Sequence, residues 1–344
     1  LVGSEMCIRD SYTGSCFVTC GKLFNTLFGM DYTVMMIFGA IIVFLYTMVG
    51  GYLSVVATDF VQGCLMFFAL AVVVIGSIAM AGGVENTAAF LSDIPGYLSM
   101  VQTATPEVDA DGVQYMIGGA PIFGIPAEYG LLTIISTLSW GLGYFGMPHI
   151  LVRFMSIEKP SMIKKSSTVA IIWVIISLFS AVLIAYFGRM IMGAELLADG
   201  SQKLVFIAMS RKFFPAAICG LLLAAIIAAS ISTADSPLLV ASSSFTADLY
   251  KPFFRKNATE KETLMVGRIL VLILSAIAFL IANSKGSGAQ VIMDMVENAW
   301  GAFGASFGST ILLSLFWKRF NYQGAVAGVI SGFVIDLGWL LTGM

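Results

Sequence analysis

The 344-residue chain is too apolar for an ordinary water-soluble domain, since 58% of its residues are hydrophobic and 11% are charged, against about 25% charged in soluble domains. A formal net charge of −2 excludes a basic nucleic-acid binder. One histidine and five scattered cysteines provide neither zinc-ligand spacing nor a disulfide framework. We therefore expect lipid to be the solvent for most of the protein.

Nine windows of about 20 apolar residues are expected to cross the membrane. In chain order they cover residues 11–28, which is the weakest, 32–50, 55–81, 129–155, 167–193, 214–246, 264–283, 292–317 and 323–343. These windows are too long, and too rich in Leu, Ala, Ile, Met and Gly, for barrel strands of about 10 residues. Helices satisfy their own backbone hydrogen bonds in lipid, so the sequence predicts an all-α integral membrane protein.

Basic residues in the connections predict which side of the membrane each connection faces. The stretch 82–128 contains six acidic residues and no Lys or Arg, so it is expected outside. Lys and Arg recur in 153–165, 251–261 and 318–319, which are expected inside. The connection 194–213 departs from this pattern, because alternation places it outside although it contains three basic residues.

The two ends of the chain do not resemble the ends of a complete membrane protein. Residues 1–10, LVGSEMCIRD, resemble neither a signal peptide nor the start of a membrane helix, and are predicted to be a non-native leader. Residues 11–343 are predicted to form a single transmembrane domain. The last span has no polar tail, so the chain is expected to be a fragment.

Two short motifs match enzyme signatures but lack the required context. Gly141-Leu-Gly143-Tyr-Phe-Gly146 matches a dinucleotide-binding pattern, which needs a strand before it and a helix after it. Gly304-Ala-Ser306-Phe-Gly308 matches a nucleophile motif, which needs a basic partner, and the only histidine, His149, lies in another span. These observations argue against an intramembrane enzyme. The glycines at four-residue spacing instead predict close helix packing, at Gly304, Gly308, Gly324, Gly328 and Gly332.

The fourth span should break in the middle of the membrane. Between Trp140 and His149 it contains three glycines and Pro148, and glycine costs about 1 kcal/mol and proline about 3 kcal/mol in a helix interior. Broken helices near the midplane are where secondary transporters bind substrate. Trp140 and Tyr144 share a helix face and would wall a pocket for a small amphipathic solute. A kinked packing helix with interfacial aromatics explains the same residues.

The sixth span places three oxygen atoms on one side of a helix. The Ser232 and Thr233 hydroxyls lie one turn beyond the Ala229 carbonyl, and carbonyls and hydroxyls are hard ligands that suit a sodium ion. Pro237 cannot donate to the Thr233 carbonyl, which frees another acceptor. The alternative is that these hydroxyls bond back to their own helix or join two helices.

Three aspartates are set in apolar sequence, and carboxylates in lipid usually face water or an ion path. Asp59 is predicted in the first turn of the third span, where the helix dipole alone would favour it. Asp235 follows the alcohol side chains of the sixth span, and Asp336 has no local partner.

Four stretches, taken together and in this order, resemble the sodium:solute symporter family, and most of all its bacterial members that carry proline. The stretches are residues 50–62, 140–154, 223–251 and 298–308. The resemblance implies an inverted-repeat fold with five-plus-five core helices. It also implies sodium-coupled import of a small solute, L-proline first, by alternating access in a bacterial inner membrane. Another amino acid, a short carboxylate or a vitamin remains an alternative solute, and a non-transporting sensor is a further alternative.

The resemblance also carries roles to individual positions. It implies a solute site at Trp140, Tyr144 and Pro148, sodium ligands at Ala229, Ser232 and Thr233, and a place on the ion's path to the cytoplasm for Asp59. Three positions depart from the family pattern: Met147, where relatives often have glutamine, and Asp235 and Pro237, which replace neutral residues. The family's first core helix, with further sodium ligands, is expected to precede residue 11.

Overall fold

The computed structural model describes residues 2–108, 114–193, 195–196, 201–285 and 289–342. The α-helices in these residues are α1 Val2–Phe28, α2 Tyr32–Met80, α3 Val84–Ser92, α4 Leu131–Gly143, α5 Pro148–Met155, α6 Ile163–Met192, α7 Val205–Phe213, α8 Ala216–Ser244, α9 Glu260–Lys285, α10 Ala289–Phe303, α11 Ser309–Phe316 and α12 Tyr322–Thr342. Short 3-10 turns cover Tyr144–Gly146, Pro160–Met162 and Gln202–Leu204, and π-helical segments cover Phe245–Phe254 and Gly304–Gly308.

Among the described residues, six helices are long and apolar enough to cross a membrane: Tyr32–Met80, Pro160–Met192, Ala216–Phe254, Glu260–Ser284, Val291–Phe316 and Tyr322–Thr342. The first contains two predicted spans, and its backbone breaks at Gly51, where φ is 62° and ψ is −176°. The predicted span 129–155 appears as α4 and α5 with a break between them. The chain is therefore a multi-pass membrane protein.

The helices present apolar side chains outward, as lipid requires. On α6, for example, Ile171, Ile175 and Phe179 are 59%, 62% and 63% exposed. A continuous apolar face of this kind would be an aggregation hazard in water, whereas hydrocarbon solvates it.

The described parts of the predicted outer stretch, residues 82–108 and 114–128, are folded. The stretch begins with α3 and continues into two antiparallel pairs of short strands, β1 Gln102–Thr103 with β4 Ala127–Glu128, and β2 Met116–Ile117 with β3 Ala120–Pro121. The β2–β3 turn is made by Gly118 and Gly119, both with positive φ, as two-residue hairpin turns require.

The chain divides into two compact units. The first comprises Leu1–Gln62, Ser139–Pro160 and Ile227–Met344, and contains every predicted site residue. In this unit α1 packs against α9 and α10, with Phe17 and Val18 fully buried. A side chain at Gly14 would meet the Ala278 carbonyl oxygen at 2.9 Å, so glycine permits this close packing.

The helix α1 is the weak first span of the sequence prediction. Two of its hydroxyl side chains bond within the helix, since Ser15 Oγ donates to the Tyr12 carbonyl at 2.7 Å and Thr19 Oγ1 to the Ser15 carbonyl at 2.9 Å. Residues 2–10 continue the same helix. That residues 1–10 are a non-native leader stays a prediction.

The second unit comprises Gly63–Leu138 and Ser161–Ile226. Its core is built from α6, α7 and the neighbouring helical segments, and includes the fully buried Val73, Met209 and Leu222. A side chain at Gly188 would lie 2.3 Å from Val205 Cγ2, which fixes how closely α7 packs on α6.

Candidate functional site

The predicted break lies at the junction of α4 and α5. α4 ends at Gly143, the next three residues form a 3-10 turn, and Met147 is extended with φ −77° and ψ 107°. α5 then begins at Pro148, whose missing N–H leaves no unsatisfied donor at a first helical position. The break that the glycines and proline predict is therefore confirmed.

The break rests directly on the π-helical segment Gly304–Gly308. A side chain at Gly146 would lie 2.2 Å from the Phe303 carbonyl oxygen, and one at Gly308 would lie 2.7 Å from the Leu142 carbonyl oxygen. Backbone meets backbone here, so the predicted packing role of Gly304 and Gly308 is confirmed. π-helical segments inside α-helices are frequent at functional sites.

The other predicted packing glycines divide into two groups. Side chains at Gly328 and Gly332 would lie 2.7 Å from Thr310 Oγ1 and 2.2 Å from the Ala305 carbonyl oxygen, so both positions permit close packing of α12. The prediction for Gly324 is wrong, because the atoms nearest to it belong to Phe320 and Asn321 of its own turn.

Neither enzyme-like motif has the structural context that its chemistry needs. Residues 141–146 are the end of α4 and the 3-10 turn, so the dinucleotide-like motif follows a helix. Ser306 lies in the π-helical segment, fully buried, whereas a nucleophile must be accessible.

The break carries two of the rings of a four-residue aromatic cluster: Tyr12, Trp140, Tyr144 and Trp300. Trp300 is the centre of the cluster. Its ring stacks on Trp140 at 5.9 Å between centroids and meets Tyr144 edge-on at 5.0 Å and Tyr12 edge-on at 5.5 Å. Trp300 is 9% exposed and Tyr144 is 48% exposed. The centre of the aromatic cluster is therefore buried, whereas its Tyr144 side is accessible from outside the protein.

Pro148, the third predicted solute residue, is half-buried at the start of α5. It adjoins Met147, which is fully buried in the apolar core around Trp300. The structure thus places Pro148 beside the aromatic cluster through the backbone of the break.

The predicted sodium ligands lie in the middle of α8. Ser232 Oγ donates to the Ala229 carbonyl oxygen at 3.1 Å, which is the own-helix bond of the alternative interpretation. The same contact brings a hydroxyl oxygen and a carbonyl oxygen together on one helix face.

Tyr12 connects the aromatic cluster to these oxygens. Its side chain makes a hydrogen bond with the Thr233 side chain, and its ring contacts both Trp300 and His149, the latter stacked at 6.1 Å. A single side chain of α1 therefore touches the proposed solute-binding rings and one proposed sodium ligand.

Asp59 is paired with Arg153 in the last turn of α5. The same guanidinium nitrogen donates to Ser236 Oγ at 2.7 Å, three residues beyond Thr233. The expectation that Asp59 lies in the first turn of its helix is wrong, because the helical segment after the break at Gly51 has already made about two turns. A dipole at the helix start therefore does not explain this carboxylate.

Asp235 adds a second carboxylate to the same region. Its side chain is fully buried, accepts a hydrogen bond from Ser236 Oγ at 3.2 Å and interacts electrostatically with Asp59 and Arg153. Asp336 lies apart on α12, with Oδ1 3.3 Å from where a Gly301 side chain would begin.

Sequence reasoning did not assign roles to Tyr12, Trp300 or Arg153. Trp300 and Arg153 lie inside stretches that carry the family resemblance. A buried carboxylate needs a cationic partner. The presence of Asp59 in an apolar span therefore indicates that a basic side chain such as arginine lies nearby. Tyr12 had no such signal, because it lies in the least apolar span.

Comparison with known proteins gives one consistent result. The profile of the Sodium:solute symporter family matches residues 6–332. The osmoregulated proline transporter OpuE of Bacillus subtilis is 39% identical over 97% of this chain and 62% of its own length. The high-affinity proline transporter PutP of the same species is 39% identical over 97% of this chain and 65% of its own length. Sodium/proline symporter 2 of Staphylococcus saprophyticus is 37% identical over 96% of this chain and 60% of its own length. The chain thus spans less than two thirds of each of these relatives.

A solved structure shares the fold. It is a Na+-coupled sialic acid symporter in its substrate-bound, outward-open state, with a TM-score of 0.67 over 98% of this chain and 73% of its own. The two sequences are 17% identical, so the likeness concerns the arrangement of helices. It confirms the predicted all-helical symporter fold.

Proposed function

We propose that this chain, which belongs to the sodium:solute symporter family, acts in sodium-coupled import of a small solute, most specifically L-proline, by alternating access. The solute would bind at the break between α4 and α5, on Trp140, Tyr144 and Pro148. Sodium would enter as a co-transported substrate, bound by oxygens of α8.

The observation that carries this proposal is the position of Tyr12. Its ring belongs to the aromatic cluster and its side chain bonds to Thr233. Coupled transport requires that ion and solute each raise the other's affinity. A residue that touches both groups provides a direct path for that effect, because a sodium ion that draws the Thr233 hydroxyl toward itself also moves the partner of Tyr12.

The residues of the proposed ion site provide oxygen ligands that suit sodium. The Ala229 carbonyl and the hydroxyls of Ser232 and Thr233 are hard oxygen donors without net charge, which suit a weakly bound, rapidly released monovalent cation. Asp59, held by Arg153, would attract the ion along its path toward the cytoplasm.

The solute class follows from the aromatic cluster and from the relatives. The accessible side of the aromatic cluster offers apolar ring faces to a small carbon ring, and aromatic faces also attract a cationic ammonium group. The three relatives described above are named as proline transporters. Proline, a five-membered ring with an ammonium and a carboxylate, fits this combination. The alternatives are another amino acid, a short carboxylate or a vitamin.

We place this activity in the inner membrane of a bacterium. The relatives come from Bacillus and Staphylococcus, and the basic connections fit a negative interior. Membrane lipid would cover the exposed apolar faces.

The test is uptake of labelled L-proline by the intact gene product in proteoliposomes, with an inward sodium gradient and with potassium in its place. We expect uptake with sodium only. Thr233→Ala should lose most sodium activation. The control Thr168→Ala, at an exposed threonine of α6 whose hydroxyl donates to the Lys164 carbonyl, should not. Equal uptake in both salts would reject sodium coupling. Stronger competition by another amino acid, a short carboxylate or a vitamin would reassign the solute, and binding without uptake would favour the sensor.

A further inference from the structure

The indole N–H of Trp300 is a buried hydrogen-bond donor for which the described residues provide no acceptor. It lies at the centre of the aromatic cluster, on a residue that is 9% exposed. Unsatisfied buried donors are rare and need an explanation, because the group has lost its water without gaining a partner.

The position of the donor is fixed by the break in the solute-binding helix. A side chain at Gly143 would fall 2.3 Å from Trp300 Cδ1 and 2.8 Å from Nε1. The N–H edge of the indole therefore lies against the last residue of α4, in space that only glycine leaves free. The next residue, Tyr144, begins the 3-10 turn and is 48% exposed.

The donor also restricts which ligand atom can satisfy it. An indole nitrogen only donates, so its partner must be an acceptor such as a carboxylate or carbonyl oxygen. The faces of the rings around it favour an apolar ring and a cationic group. Together these features fit a zwitterion whose carboxylate points toward the break.

We propose that Trp300 is a specificity-determining solute residue, whose N–H donates to the carboxylate of the carried amino acid. This inference rests on the proposed function and adds the protein group that binds the carboxylate of the solute. The solute would reach the N–H when the 144–147 segment moves, and a newly satisfied donor would favour that open arrangement.

The test measures inhibition constants of L-proline and L-prolinol against labelled proline, in the full-length protein with sodium. Prolinol keeps the ring and the amine and replaces the carboxylate with a hydroxymethyl group. A hydrogen bond to a charged group is worth about 10- to 100-fold in affinity. Trp300→Phe should therefore shrink the preference for proline over prolinol by about 10- to 100-fold. The control Trp339→Phe, on a tryptophan of α12 that is 59% exposed, should leave the preference unchanged.

The preference is a ratio within one variant, so it does not depend on how much protein folds. If Trp300→Phe yields no protein, benzothienylalanine at position 300 keeps the ring shape and removes only the N–H. An unchanged preference in a variant that still takes up proline overturns the role of Trp300 and leaves the proposed function intact. Absence of sodium-dependent proline uptake in the unaltered protein overturns both.

Discussion

Replacing Gly143 with alanine should damage the protein, although alanine is the better helix former. In a helix interior the change from glycine to alanine is favourable by about 1 kcal/mol. At Gly143 the new methyl group would lie 2.3 Å from Trp300 Cδ1, where ordinary contact begins near 3.4 Å. The indole would have to move by about 1.1 Å, and overpacking of this kind costs about 1–3 kcal/mol.

The matched control is Gly141→Ala in the same helix. Apart from its chain neighbours and its own helix backbone, no atom of the described residues lies within 4 Å of a side chain at Gly141, so this variant should show the helix-propensity effect alone. We expect Gly141→Ala to keep or raise the thermal-denaturation midpoint and to keep proline uptake. Gly143→Ala should be less stable than Gly141→Ala by about 1–3 kcal/mol.

The transport assay separates packing from function. A displaced Trp300 ring disturbs its contacts with Trp140, Tyr144 and Tyr12, so the KM for proline should rise by about tenfold in Gly143→Ala, the effect of about 1.4 kcal/mol. If the two alanine variants have equal midpoints and equal KM values, the reasoning about the break and Trp300 is refuted.

Three further predictions concern other contacts of the site. Gly146→Ala should abolish folded protein, seen as loss of a monodisperse peak, because its methyl group would lie 2.2 Å from the Phe303 carbonyl oxygen; a monodisperse variant contradicts this. Thr233→Ala should raise the sodium concentration for half-maximal uptake at least tenfold while KM for proline at saturating sodium changes little; parallel changes would argue against an ion role. Arg153→Gln should lower the thermal midpoint more than Arg153→Gln combined with Asp59→Asn, since the single change leaves a carboxylate unpaired; additive losses would refute the pair.

The break in the fourth span was predictable because its cause is local. Glycines and a proline weaken the helix where they stand, and the structure breaks between Gly143 and Pro148. The shared face of Trp140 and Tyr144 is likewise a property of helical spacing. Their common partner Trp300 lies far along the chain, and only the folded arrangement brings it to the break.

The start of the helix that carries Asp59 was mispredicted for a physical reason. Hydropathy places a span boundary where apolar residues begin, near residue 55, whereas the backbone break occurs at Gly51. That shift moves Asp59 away from the helix start and beside Arg153. The small strands of the 82–128 stretch are two residues long, which is too short for any alternation of polar and apolar residues to appear.

The central claim is that ion and solute bind to connected groups, and it is tested most directly by the affinity for proline with and without sodium. In the purified full-length protein, saturating sodium should lower the Kd for proline by about 5- to 150-fold, the usual range of coupling between sites. Tyr12→Phe, which removes the hydroxyl bonded to Thr233, should shrink that factor toward one while leaving the sodium-free Kd nearly unchanged. A proline Kd that is the same in sodium and in potassium would contradict the account.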